Sequence, residues 1–156
     1  MSKIHFEITT PERQVLKDEV DSVTATTMSG EVTILPGHIA LIAPLASGEL
    51  RVKRGEQEEY LAVAGGFLEV RPEPAGDPHK TKVIILADSA ERLEEIESAK
   101  AEEARERARK AMEEYRVTDV EKFTEATAAF ERAVAQLKVA RRKHARGKSG
   151  MFETES

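Results

Sequence analysis

Glycine and proline disappear partway along this chain. All six prolines and seven of the nine glycines lie at or before Pro78, and neither residue occurs between Pro78 and Gly147. Both mark turns and both are costly inside helices. The first half therefore predicts short strands joined by turns, and the second predicts long uninterrupted helix. At 156 residues the chain can bury one real core plus a small appendage, not two large domains.

Ile4-His5-Phe6-Glu7-Ile8-Thr9 alternates apolar and polar residues, the pattern of a strand buried on one face. Val20–Thr27, Glu31–Leu35, Ala40–Leu45, Glu49–Lys53, Glu58–Ala64, Phe67–Arg71 and Lys82–Ala87 follow between turn signals. Regular spacing of this kind predicts an antiparallel β-sandwich or flattened barrel, rather than a parallel sheet, over residues 1–87, and a sandwich of about ten strands is expected. The Pro72–Pro78 stretch is too proline-rich for a central strand and reads as an exposed loop.

Asp88-Ser89-Ala90-Glu91 has the pattern of a capping box, predicting a helix from here to about Tyr115 with Leu93, Ile96, Ala104, Ala108, Ala111, Met112 and Tyr115 on one face. Thr118-Asp119-Val120-Glu121 repeats the pattern. Val120, Phe123, Thr127, Phe130, Val134 and Leu137 then recur at steps of three and four, a heptad-like seam. The short connection favours an antiparallel two-helix hairpin over residues 88–146, followed by a flexible tail at 147–156. The fold class is thus α+β. No apolar run reaches the roughly 18 residues of a membrane span and no signal-peptide pattern opens the chain, so a soluble, cytoplasmic protein is expected.

The net charge of -5 conceals an asymmetry: residues 132–150 carry seven basic groups and no acid. One reading is a solvated helix end complementing the helix dipole. The other is an electrostatic finger in which Lys138, Arg141, Arg142, Lys143 and Arg146 engage carboxylates of a partner. Nucleic acid is the less favoured partner, because the chain is acidic overall and no aromatics interleave the basic residues. His5, His38, His79 and His144 are too scattered for a metal site, and there is no cysteine. Gly147-Lys148-Ser149 lacks the earlier glycine and the strand of a phosphate loop, and no nucleophile motif is present. An enzyme is not expected.

The order of several motifs resembles the ATP synthase epsilon-subunit family. They are Met28-Ser29-Gly30-Glu31-Val32-Thr33-Ile34-Leu35-Pro36-Gly37-His38-Ile39-Ala40-Leu41, then Gly48-Glu49-Leu50, Val63-Ala64-Gly65-Gly66-Phe67-Leu68-Glu69-Val70 and Ala87-Asp88-Ser89-Ala90-Glu91. The resemblance implies a non-catalytic rotor component, peripheral at the cytoplasmic face of the cell membrane, without a cofactor. Its partners would be the gamma subunit, the membrane rotor ring and, when the hairpin extends, the catalytic beta and alpha subunits. It implies a ring-facing turn carrying Glu31 and His38, and a hairpin that restrains ATP hydrolysis when extended, with the basic block pairing against a catalytic subunit. Some bacterial members bind ATP through an Ile-Asp-x-x-Arg-Ala motif. Here the run is Ile96-Glu97-Ser98-Ala99-Lys100-Ala101. The resemblance makes Glu91, Ile96, Glu97, Lys100, Ala101, Arg107 and Arg132 candidates for weak, regulatory ATP binding. Glu for Asp lengthens the arm and Lys for Arg removes a planar donor fork, while Ala128 stands where a further arginine is expected. The remaining alternative is a sandwich-plus-coil adaptor whose basic helix binds nucleic acid or an acidic protein.

Overall fold

The computed structural model describes residues 3–72 and 81–152, with side chains through Lys143. Most of the proline-rich loop, His79, the side chains of His144 and Arg146, and the last residues of the tail lie outside the described residues.

Alternation builds the sandwich. In β1 (Ile4–Thr9), Ile4, Phe6 and Ile8 are buried while His5, Glu7 and Thr9 turn outward. The chain continues through β2 (Gln14–Val20), β3 (Ser22–Thr27), β4 (Gly30–Ile34), β5 (Leu41–Pro44), β6 (Gly48–Arg54), β7 (Gln57–Ala64), β8 (Phe67–Pro72) and β9 (Thr81–Leu86), with the same alternation in β6 and β9. With β10 (Ser89–Arg92) they form two five-stranded sheets, ordered β2-β1-β9-β8-β5 and β10-β7-β6-β3-β4. Val23, Ile34, Leu50, Val52, Leu61, Val63, Leu68, Val70, Val83 and Ile85 fill the space between them. Burying each such side chain contributes about 1.5–3 kcal/mol. Named strand pairs are antiparallel except β1 with β9, which run parallel from Ile4 opposite Thr81 to Thr9 opposite Leu86. Gly66 carries the chain between the sheets at φ 103°, where a Cβ would collide with the Leu86 carbonyl.

The helix predicted from Asp88 starts later. Ser89–Arg92 instead pairs with β7, Ala90 opposite Val63, and a 3₁₀ turn at Leu93–Glu95 precedes α1 (Ser98–Tyr115). The free edge of β7 offers backbone partners, and Ala90 and Leu93 become buried by taking them, which outweighs the local cap pattern. Leu93 and Ile96 therefore do not belong to the α1 face.

α2 (Val120–Phe152) is 33 residues long, about 50 Å, and continues past the expected end at Arg146. Asp119, not Thr118, caps it: its Oδ1 accepts the Lys122 N–H at 3.0 Å. Lys122 lies over the Tyr115 ring at 5.0 Å, closing an antiparallel hairpin. The buried seam differs from the one predicted. Ala101 and Ala108 of α1 and Ala126, Ala133 and Ala140 of α2 recur every seven residues and are buried, whereas Val120 and Val134 are 80% and 41% exposed. Phe123, Thr127, Phe130 and Leu137 are half-buried. Alanine permits close approach of the helices and leaves the larger side chains at the flanks.

The second helix also rests on the outer face of one sheet. Ala135, Val139 and Ala140 pack with Tyr60 and Ala62 of β7 and with Leu93 and Ile96. β7 is thus covered on both faces, which accounts for its continuous buried run Tyr60-Leu61-Ala62-Val63.

Candidate functional site

Three groups of candidate residues occupy different parts of this frame. Glu31 and His38 do not share a turn. Glu31 lies in the edge strand β4, where it is exposed and pairs with Arg51 at 3.4 Å. His38 follows the far end of that strand, in a turn closed by its own N–H donating to the Leu35 carbonyl at 3.1 Å. Val32, Thr33 and Ile34, β-branched and paired with β3, keep the intervening segment extended. Gly37, at φ 88°, donates its N–H to the buried Thr81 hydroxyl at 2.7 Å, fixing this turn to β9. The His38 Nδ1 is 2.7 Å from the Ile39 carbonyl oxygen, a geometry for Nδ1–H donation. Leu35 and Ile39 nearby are 57% and 77% exposed.

A second exposed apolar surface lies on the outer face of the other sheet. Phe67 stands directly opposite both Pro44 and Leu86, with Ile42 further along β5. Ile42, Phe67 and Leu86 are all exposed. Sequence reasoning missed this patch; the only signal was apolar residues at several outward positions, where polar residues are the rule.

The second group converges. Glu91, Glu97, Lys100, Ala101, Arg107 and Arg132 line one solvent-open cleft of about 470 Å³ between β10, α1 and α2. Ile96 does not join them, because it is buried beneath α2. Glu95 and Gln136, not anticipated from sequence, also line the cleft. The Glu91 carboxylate accepts hydrogen bonds from Arg132 and, at 2.6 Å, from Gln136. Lys100 pairs with Glu97 at 3.1 Å. Arg13 bonds Glu95 and holds its carboxyl below the usual range. The cleft has the volume of a small-molecule site. Two of its cations, Lys100 and Arg132, already face carboxylates.

The basic block divides in the structure. Arg142 forms two hydrogen bonds to Glu49, Nε at 3.1 Å and Nη2 at 3.0 Å, and stacks on the Tyr60 ring at 4.8 Å. The Glu49 bond raises the Arg142 pKa above its ordinary value. Lys143 donates to the Ile96 carbonyl at 3.0 Å. Both cations thus have partners within the chain: extended β6 presents Glu49 outward, opposite Ala62, where α2 crosses. Lys138 and Arg141 remain exposed and have no ion pair among the described residues. Arg146 has no described side chain.

Comparison with known proteins agrees with this arrangement. Residues 3–93 match the family model described as ATP synthase, Delta/Epsilon chain, beta-sandwich domain. Residues 94–141 match the corresponding long alpha-helix domain. The ATP synthase epsilon chain of Dehalococcoides mccartyi is 46% identical over 146 residues, covering 92% of this chain and 98% of that one. The epsilon chain of Moorella thermoacetica is 45% identical over 141 residues, covering 90% and 98%. Among solved structures, a chain of the Euglena gracilis mitochondrial ATP synthase, OSCP/F1/c-ring, matches with a TM-score of 0.66 at 27% identity, covering 84% of this chain and 77% of that one.

Proposed function

This chain belongs to the ATP synthase epsilon-chain family, and from that premise we propose how its two halves share the work of a non-catalytic central-stalk subunit. The sandwich is the fixed coupling. Its exposed apolar surface at Ile42, Pro44, Phe67 and Leu86 docks the gamma subunit, since a patch of this kind is ordinarily covered by protein. The edge strand β4 with its following turn, carrying Glu31 and His38, faces the membrane rotor ring. No helix among the described residues is long and apolar enough to cross a membrane. Association with the cytoplasmic face of the membrane therefore runs through the complex.

The hairpin is the restraint. One observation carries this reading: the buried residues that α2 sets on the sandwich are small ones, Ala135, Val139 and Ala140, joined by polar ties, and such a contact can be exchanged for another. Released, the hairpin reaches the catalytic alpha and beta subunits, and Lys138, Arg141, Arg142, Lys143 and Arg146 pair with acidic side chains there to inhibit ATP hydrolysis. The test is a chain ending at Glu97, which keeps β10 and the 3₁₀ turn. Reconstituted into the complex, it should support coupled synthesis while hydrolysis rises at least severalfold over the full chain. Unchanged hydrolysis removes inhibition from this account.

A second reading adds ATP as a regulatory ligand of the cleft, favoured by the convergence of Glu91, Glu97, Lys100, Ala101, Arg107 and Arg132 on one space. Binding would have to displace Arg132 from Glu91, which makes it weak. Calorimetry at millimolar ATP decides it, and absence of heat closes this reading.

A further inference from the structure

We propose that Glu49, Arg142 and the Tyr60 ring form a latch that holds α2 on the sandwich and withholds Arg142 from any intermolecular contact. The Glu49 side chain is only 8% exposed, on the sheet face where α2 packs over Tyr60 and Ala62. A carboxylate so placed needs a partner, and Arg142 supplies both prongs of its guanidinium while its flat face lies on Tyr60. Lys143 fastens the next residue to the Ile96 carbonyl. Because the fully buried apolar residues that α2 sets on this face are small, Ala135, Val139 and Ala140, the polar pair weighs heavily in holding it.

The latch is reversible by construction. Arg51 approaches Glu49 from the sandwich side, its Nε 3.8 Å from Oε1. When α2 leaves, Glu49 gains water and keeps a cation, while Arg142 and Lys143 become available together. A guanidinium occupied by Glu49 cannot also bind a partner's carboxylate. The folded and extended positions therefore compete for the same cations, and the equilibrium is set by differential contacts.

The chain has no cysteine, so one introduced thiol reports opening. Ala135→Cys places it beneath α2, and Ala25→Cys places a control in the sandwich core. Maleimide labelling at position 135 should accelerate at least tenfold in Arg142→Met, with labelling at position 25 unchanged, since Glu49 then lies under α2 with both of its Arg142 hydrogen bonds lost and only the longer Arg51 contact left. The pair Glu49→Met with Arg142→Met exchanges the ions for apolar side chains beside Tyr60 and should return the rate to within about threefold of the parent. An Arg142→Met rate equal to the parent overturns the latch. So does equal acceleration at both positions, or a double variant as fast as Arg142→Met alone.

The consequence for hydrolysis rests on the inhibitory reading above and is tested separately. Glu49→Gln frees Arg142 without removing it, and should lower hydrolysis by the reconstituted complex. Faster labelling with unchanged hydrolysis would keep the latch and discard the inhibition.

Discussion

The two faces of one sheet are buried by different chemistry. Its inner face meets the opposite sheet through Val23, Ile34, Leu50, Val52, Leu61 and Val63. Its outer face meets α2 through alanines, one valine and the Glu49–Arg142 pair. Large aliphatic side chains in close packing lose heavily when separated, whereas small residues and charged groups recover much of their loss in water. One face suits a permanent body and the other a surface that can be left.

The largest expected effect lies inside. Leu68→Ala should cost about 2–5 kcal/mol in urea unfolding of the sandwich, because Leu68 has no exposure and the cavity closes poorly. A cost below about 1 kcal/mol would erase the contrast between the faces. Ala133→Leu probes the hairpin seam, where a larger side chain forces the helices apart at a cost of about 1–3 kcal/mol. Hydrogen exchange in α1 and α2 should speed up while the sandwich transition stays put; a joint shift would mean the halves unfold as one. Asp119→Ala removes the α2 cap for about 1 kcal/mol, read as faster exchange of the amides at the start of the helix.

The smallest effect is in acid. Hydrogen bonds from the Lys3 ammonium and the Gly55 amide hold the Asp21 carboxyl below its ordinary value. A depressed folded-state pKa contributes stability that is complete above the unfolded value near 4 and disappears as pH falls through the folded one. Thermal unfolding of Asp21→Asn, compared with the parent between about pH 5 and pH 2.5, should converge on it at the acid end. A constant difference across that range would deny the linkage.

Legibility in the sequence followed burial. Central strands announced themselves by alternation, as in Ile4–Thr9. The two elements missed, Gln14–Val20 and Ser89–Arg92, are both sheet edges, where polar residues such as Lys17, Asp18 and Glu91 serve as well as apolar ones. Asp88 to Glu91 even satisfied a helix rule, and the tertiary partner β7 decided otherwise. The hairpin was legible from missing turn residues, but its seam was misplaced because the eye follows Phe and Val while the helices meet on Ala. Among candidate sites, the cleft residues were named before they were seen together. The link from Arg142 to Glu49 spans most of the chain and leaves no local mark.

The parallel pairing of β1 with β9 imposes an order of events. Ile4–Thr9 precedes the other described strands along the chain, yet one of its two neighbours is Thr81–Leu86, nearly the last of the sandwich. Contacts so distant along the chain form late and slow folding. During synthesis the opening strand must wait, paired only with β2, until the ninth arrives. The helices emerge after that and settle onto a surface already complete, which makes them the natural part to lift away again without disturbing what was built before them.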